Sequence, residues 1–127
     1  MTTRPSHGNV LLNKVEATER EILSRLTKMA SEKNVNLTYS HKLFFLRLLE
    51  YADAQDNDTP EGLTVYLSVK DLAKTLNVPF RTTIQCINRL TTCGAIRRYN
   101  ELVGWGRSPS ETVINKSIYE KREGSEE

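Results

Sequence analysis

Two short apolar patterns of helical spacing, joined by a tight turn, constrain the fold of this chain more than any other feature of its sequence. The first pattern begins after Ser68, which has capping-box-like spacing to Asp71. Its apolar residues recur at i, i+3, i+4 and i+7 and are Val69, Leu72, Ala73 and Leu76. Asn77 suits a left-handed C-terminal turn, and Pro79 suits the first turn of a second helix. The two patterns therefore predict a helix-turn-helix.

The second helix, within NVPFRTTIQCINRL at 77–90, divides into two faces. One face is typical of a core and holds Thr83, Cys86, Ile87 and Leu90. The other face holds Arg81, Ile84, Gln85 and Asn88. The helix should end near Gly94, which fits the position after a C-cap.

A strand, a loop and a returning strand are predicted directly after this helix. The strands are AIRRY and ETVINKSIY, and the loop NELVGWGRSPS between them is rich in Gly and Ser. A helix-turn-helix followed by such a hairpin is a winged helix. The predicted fold class is therefore mainly α with a small β-wing (α+β), with the winged helix-turn-helix domain at 40–119.

An amphipathic helix is predicted upstream, at 15–34, after a flexible arm at 1–14. Its apolar stripe consists of Val15, Ile22, Leu23, Leu26, Met29 and Ala30. The stripe either docks on the rest of the domain or pairs with a second copy, in which case Ile22, Leu26 and Met29 would form the dimer contact. The sequence does not choose between these two arrangements.

The segment HKLFFLRLLEYADA is predicted to be the central core helix, with Ser40 as its N-cap. A polar loop at 55–62 and a short strand LTVYLS at 63–68 follow it. Residues 120–127 are expected to be a disordered tail.

Length and composition limit what the chain can be. Its 127 residues suit one domain with a modest core, and 38% hydrophobic and 27% charged residues are typical of a globular protein. The N-terminal apolar run, at 10–12, is too short for a signal peptide, so a cytoplasmic location is expected. Residues 61–110 contain seven Lys and Arg against three Asp and Glu, which favours an anionic partner there.

The sequence contains little that predicts catalysis, so the protein is not expected to be an enzyme. His7 and His41 have no partner at metal-ligand spacing, and no P-loop, GxGxxG motif or nucleophile elbow occurs, so neither a metal nor a cofactor is expected. Cys86 and Cys93 lie near one helical face. They are interpreted as small core residues, with a redox pair or half a metal site as the alternatives.

The polar face of the second helix suits hydrogen bonding to base edges. Arg can donate two hydrogen bonds to guanine and Gln can pair with adenine, so Arg81 and Gln85 are the predicted base readers. Ile84 would contact a thymine methyl group or pack against the neighbouring helix or wing. Asn88 would reach a base edge or a phosphate.

Residues around this face are predicted to contact the DNA backbone. The basic ones are Lys70, Arg89, Arg98 and Arg107. Arg97 and Arg98 are consecutive on a strand, so only one should face DNA. Phe80 would pack on the sugar-phosphate backbone or be partly buried in the turn. Trp105 would stack on a sugar or enter the minor groove, or fold back onto the domain.

From 18 to 99 the chain resembles the C-terminal half of the bacterial cyclic-AMP receptor/Fnr family of transcription regulators. The similar segments are SEKN, LFFLRLLEYA, DTPEGLTVYLS, DLAKTLNV and RTTIQCINRLTTCGAIRR. The resemblance implies an upstream helix that pairs two subunits and a second motif helix that enters the major groove. It also implies a phosphate contact for the hydroxyl of Thr82.

The sequence also departs from that family. About fourteen unpatterned residues stand where the family has its ligand-sensing β-roll, so no cyclic-nucleotide or iron-sulfur cofactor is expected. Pro79 replaces the usual Ser, and Phe80, Arg81 and Thr82 replace the usual Arg-Glu-Thr. A DNA sequence preference different from the family's usual one is expected.

Two functional hypotheses follow from these patterns. The first is a sequence-specific double-stranded DNA-binding protein, a homodimeric transcription regulator that reads the major groove with residues 80–92 and the backbone or minor groove with the wing at 100–110. The second is a winged-helix protein-interaction module. A plasmid or phage replication-initiation factor is a variant of the DNA-binding hypothesis.

Overall fold

The computed structural model describes residues 15–55, 58–99, 102–103, 106–107 and 111–120. The predicted arm at 1–14 and residues 121–127 of the predicted tail lie outside these ranges. Over the described residues the chain forms five helices and six short strands. The helices are α1 Glu19–Glu32, α2 Tyr39–Gln55, α3 Val69–Leu76, α4 Phe80–Thr92 and α5 Lys116–Tyr119. The strands are β1 Asp58–Thr59, β2 Gly62–Val65, β3 Ile96–Tyr99, β4 Leu102–Val103, β5 Gly106–Arg107 and β6 Glu111–Ile114.

Four of the strands form one antiparallel sheet in the order β1-β2-β6-β3, and β4 pairs with β5 in a separate two-stranded ladder. Ile96 lies opposite Ile114 and Arg98 opposite Thr112, so these side chains share one face of the sheet. That face joins the core, because Ile96 and Ile114 are both buried in the main apolar cluster. The predicted α+β winged-helix arrangement is confirmed.

Helix α1 is docked on its own domain. Thr18 and Glu21 form a reciprocal capping box at its start, and its buried residues are Ile22, Leu26 and Ala30. The helix packs on α2 and α5, and Arg25 Nη1 donates hydrogen bonds to the carbonyl oxygens of Ile118 and Glu120 at 3.0 and 2.7 Å. Of the two alternatives for the apolar stripe, the structure therefore has the first. Ile22 and Leu26 are buried within one chain and Met29 is partly buried, so the predicted dimer contact is not a free surface.

The predicted N-cap of α2, Ser40, is wrong by two residues. The helix begins at Tyr39, and Thr38 Oγ1 accepts the backbone N–H of His41 at 3.4 Å. The backbone N–H of Thr38 in turn donates to Nδ1 of His41 at 3.0 Å. This is the reciprocal geometry of a capping box with a histidine in the place usually held by Glu or Gln. The box needs an unprotonated Nδ1, because only a free lone pair can accept the Thr38 N–H.

Protonation of His41 is expected to lower the free energy of unfolding as the pH drops below about 6.5, the ordinary pKa of histidine. Burial, and secondarily the charge of Arg89, lower the pKa of His41, so the unfolded chain binds this proton more readily than the folded one. Removing an N-cap side chain typically costs about 1 kcal/mol. The decrease in the free energy of unfolding should be smaller here, since solvent screens the partly exposed ring. This pH dependence can be measured by denaturant unfolding of the wild type and of His41→Gln at pH values from about 7 to about 5. Gln keeps a capping side chain without titrating, so an equal pH dependence in both proteins would contradict this role of His41.

The helix-turn-helix has the predicted boundaries. Ser68 Oγ accepts the backbone N–H of Asp71 at 3.1 Å and begins α3. Asn77 is left-handed, with φ 57° and ψ 50°, and ends it. Gly94 has φ 86° directly after the C-cap of α4, a conformation that glycine adopts without a steric cost. The predicted roles of Ser68, Asn77 and Gly94 are therefore confirmed. Pro79 is the N-cap residue of α4 and not part of its first turn, because its ψ of 145° is extended.

The predicted returning strand is too long. It ends at Ile114, and Asn115 then caps α5 by accepting the backbone N–H of Ser117 at 3.0 Å. The amide of Asn115 also donates to the carbonyl of Gly94 at 3.1 Å, which ties this cap to the end of α4. Tyr119 is buried in α5, and its hydroxyl accepts the backbone N–H of Leu63 at 2.8 Å.

Two predicted loops contain short ladders, and one predicted strand is shorter than expected. The segment at 55–62 contains β1, and the predicted wing loop contains β4 and β5. The strand predicted at 63–68 runs only from Gly62 to Val65, and the next side chain, Tyr66, is exposed. No helix in the described part of the chain is both long and apolar enough to cross a lipid bilayer.

Candidate nucleic-acid interface

Helix α4 buries one face in the domain. Its buried residues are Thr83, Cys86, Ile87 and Leu90, as the sequence predicts. The hydroxyl of Thr83 is satisfied within the helix because it donates to the carbonyl of Pro79 at 3.0 Å. The helix packs on α2 and α3 and runs directly into the sheet through β3. Its opposite face is thus held on a rigid support.

The opposite face presents hydrogen-bonding groups to solvent. Arg81, Gln85 and Asn88 are all exposed. Among the described residues, none of these three side chains has a hydrogen-bond or ion-pair partner. Because the three lie at positions i, i+4 and i+7, they form one row along the helix. The donors and acceptors predicted to read bases therefore lie together, and no described residue of the protein bonds to them.

Apolar side chains lie beside this row. Phe80 keeps 53% of its surface exposed and Ile84 keeps 36%. They are spaced i, i+4, so they are neighbours on the helix surface. The structure thus leaves Phe80 only half covered in the turn, and it leaves Ile84 incompletely packed against the rest of the domain.

The start of α4 has no side-chain cap. Pro79 is the N-cap residue and makes no side-chain hydrogen bond to the helix. The first backbone N–H groups of a helix have no partner within the helix and carry partial positive charge. Thr82, in the first turn, is partly exposed. This end of α4 therefore has the polarity that suits a phosphate.

The basic residues predicted to contact phosphates occupy different environments. Lys70 is exposed in the first turn of α3. Arg89 is exposed, but its Nη1 donates to the carbonyl of Asn36 at 2.8 Å, in the connection between α1 and α2. Lys70 is therefore free to move toward a ligand, whereas Arg89 already links α4 to the α1–α2 connection.

Arg97 and Arg98 point to opposite faces of the sheet. Arg98 is partly buried and its Nη1 donates to Oγ1 of Thr112 at 2.6 Å. Arg97 is exposed, with its Nη1 3.2 Å from the hydroxyl of Tyr99 and 4.0 Å from Oε1 of Glu61. Arg98 is the predicted backbone contact, yet Arg97 has the more exposed guanidinium.

The wing tip lies partly outside the described residues. Trp105 is not among them. Arg107 belongs to β5, where it lies opposite Leu102, but its side chain is outside the described part of the structure. The predicted roles of Trp105 and Arg107 stay predictions.

A comparison with solved structures supports the fold. The chain is similar to a structure described as the N-terminal domain of a DNA-binding protein, with a TM-score of 0.54 and 12% sequence identity over 87% of this chain and 83% of that chain. No protein-family model and no curated protein matches the chain. At this identity the similarity shows a shared fold alone. The resemblance to the cyclic-AMP receptor/Fnr family is not confirmed by these comparisons.

The two cysteines have the surroundings of core residues. Cys86 and Cys93 are both free thiols and fully buried. Burial raises the pKa of the Cys86 thiol to about 11 and also raises the pKa of Cys93. Reactive cysteines are accessible and have a lowered pKa, so this environment favours the core interpretation over a redox pair. Among the described residues, no three His, Cys, Asp or Glu side chains are grouped so that they could hold a metal ion.

Proposed function

We propose that this protein binds double-stranded DNA sequence-specifically, with α4 in the major groove. The observation that carries the proposal is a row of exposed side chains, Arg81, Gln85 and Asn88, that have no partner among the described residues. The other face of their helix is buried in the core. Side chains of these types form specific hydrogen bonds with guanine and adenine edges in the major groove. A helix-turn-helix presents such groups from the N-terminal part of its second helix, which is where Arg81 and Gln85 lie.

Phosphate contacts would fix the register of α4 on the duplex. Lys70 at the start of α3 and the uncapped start of α4, with Thr82, are the described groups that suit this role. Arg107 and Trp105 of the wing would contact the backbone or the minor groove. The net positive charge of residues 61–110 supports the proposal, since it would attract DNA to this part of the chain.

The similar solved structure is a second, independent support for DNA binding. Its description as a domain of a DNA-binding protein is what a DNA-binding role for the shared fold would lead one to expect. Fold similarity does not transfer function by itself, so the exposed face of α4 is the main support for DNA binding.

The biological role that we propose is transcription regulation in the bacterial cytoplasm, without catalysis by the protein itself. A homodimer would place two α4 helices on an inverted repeat. Ile22 and Leu26 are buried in their own chain, so two copies would have to pair through another surface. The spacing of half-sites in bound DNA reports whether one or two copies bind.

Selection of random-sequence synthetic duplexes on the purified protein, sequenced after washes at low and high salt, tests the proposal. We expect a motif that survives the higher salt, because base contacts add to the salt-sensitive phosphate term. The Arg20→Ala variant is the matched control: Arg20 is an exposed arginine on α1, and its loss should leave the motif unchanged. Binding that yields no motif and disappears at modest salt would contradict sequence-specific recognition and favour the protein-interaction alternative.

A further inference from the structure

The exposed face of α4 carries an apolar pair beside its hydrogen-bonding row. The large apolar side chains that are exposed among the described residues are Tyr39, Tyr66, Phe80 and Ile84. The two tyrosines have a hydroxyl group that water can solvate, whereas Phe80 and Ile84 have no polar atom in their side chains. The two side chains without a polar group thus lie on the same helix face, one turn apart.

The surroundings of this pair fit DNA better than a protein. Stable protein interfaces bury about 800 Å² on each partner around an apolar centre depleted of charge. Phe80 and Ile84 are instead interleaved with Arg81, Gln85 and Asn88, which are polar and exposed. The edge of a base pair in the major groove has the matching composition, since it presents hydrogen-bonding atoms and, in thymine, one methyl group.

Along α4, apolar and hydrogen-bonding residues adjoin each other, as the methyl group and the hydrogen-bonding atoms do at a base-pair edge. Phe80 precedes Arg81, and Ile84 precedes Gln85, so each apolar side chain adjoins a hydrogen-bonding one. Gln pairs with the major-groove edge of adenine, and the partner base of adenine carries the methyl group. Residues in the first two turns of the second helix are those that contact base edges in helix-turn-helix proteins. Ile84 beside Gln85 therefore suits an A·T pair, or two adjacent ones.

We propose that Phe80 and Ile84 contact C5-methyl groups of thymine in the major groove, so that the preferred site contains thymine next to the bases bonded by Arg81 and Gln85. This inference rests on the proposed function and adds the chemical class of the site. It makes the apolar pair a determinant of specificity, because cytosine and uracil lack the methyl group that the pair would cover.

Replacement of thymine by uracil tests the contact, since uracil removes the methyl group and keeps the hydrogen-bonding atoms. The duplex would be the motif recovered in the selection, with single thymines replaced in turn. For wild type we expect about fourfold weaker binding for each contacted methyl group, the factor that corresponds to leaving one such group unburied. Uracil outside the motif should have no effect.

The variants Ile84→Ala and Phe80→Ala close a double-mutant cycle with the thymine-to-uracil change. Each variant should bind thymine-containing DNA more weakly and lose sensitivity to uracil at one position only. Lys70→Ala is the matched control, since it should weaken binding while keeping the full uracil effect. Both apolar side chains are exposed, so thermal unfolding should show that the variants fold normally.

The possible outcomes separate this inference from the proposed function. A motif whose uracil form binds as tightly as its thymine form would overturn the methyl contact and leave sequence-specific binding intact. A uracil effect that persists unchanged in both alanine variants would also overturn it, because other residues would then contact the methyl group. Failure of the selection to yield any motif would overturn both.

Discussion

Leu26→Ala is expected to lower the free energy of unfolding by about 2–5 kcal/mol, the range for removing a large buried side chain from a core. Leu26 lies at the middle of α1, is fully buried and belongs to the main apolar cluster. Alanine would leave a cavity between α1 and its neighbours, α2 and α5. Chemical denaturation of wild type and variant, followed by circular dichroism, measures the difference.

Leu23→Ala is the matched control, since Leu23 lies on the same helix but is only partly buried. This variant should lose less free energy of unfolding than Leu26→Ala. Protein concentration adds a second readout. If α1 is part of the core of a single chain, the loss at Leu26 should be the same at every protein concentration. A midpoint that rises with concentration in wild type and not in Leu26→Ala would show that Leu26 stabilises a dimer instead.

Arg81→Ala is expected to lower affinity for the selected DNA site by about 1–3 kcal/mol, or roughly 5- to 150-fold, and to relax the preference at one base pair. Arg81 is exposed in the first turn of α4 and has no partner among the described side chains. The truncation therefore removes nothing that holds the domain together, and the loss should come from the DNA contact. Titration of fluorescent duplexes with each of the four bases at that position measures both effects.

Lys70→Ala provides the contrast for Arg81→Ala. It should weaken binding to every sequence about equally and reduce the slope of log affinity against log salt concentration by about one, as expected for the loss of one phosphate contact. Arg20→Ala removes the same charge as Arg81→Ala from α1 and should change little. If Arg81→Ala behaved like Lys70→Ala on all sequences, Arg81 would be a backbone contact and not a base reader.

The helix-turn-helix could be predicted from the sequence because its signals are local. Each of these signals acts within a few residues of chain. Ser68, Asn77 and Gly94 have the predicted role, and Pro79 lies one position before the predicted first turn, as the N-cap residue of α4. The two faces of α4 also follow from spacing alone, since 3.6 residues per turn fix which side chains share a face. These features depend little on the rest of the molecule.

The surroundings of the remaining elements could not be predicted in the same way. The apolar stripe of α1 indicates that one face of the helix is buried, but it does not indicate which element packs on that face. The contact of α1 with α5 joins residues that are 93 apart in the chain. The register of β3 against β6 decides that Arg97 is exposed and Arg98 is beside Thr112. His41 was missed as a capping partner because that position usually holds Glu or Gln, whose carbonyl or carboxylate oxygen is replaced here by a ring nitrogen.

The contact between α1 and α5 can form only late in the synthesis of the chain. Helix α1 emerges early, yet Arg25 needs the carbonyl oxygen of Ile118, which is made 93 residues later. At translation rates of roughly 5–20 residues per second, that interval is on the order of 5–20 s. During this time the apolar stripe of the nascent helix has only part of its final cover. Arg25 can donate to the carbonyl of Ile118 only after α5 has left the exit tunnel.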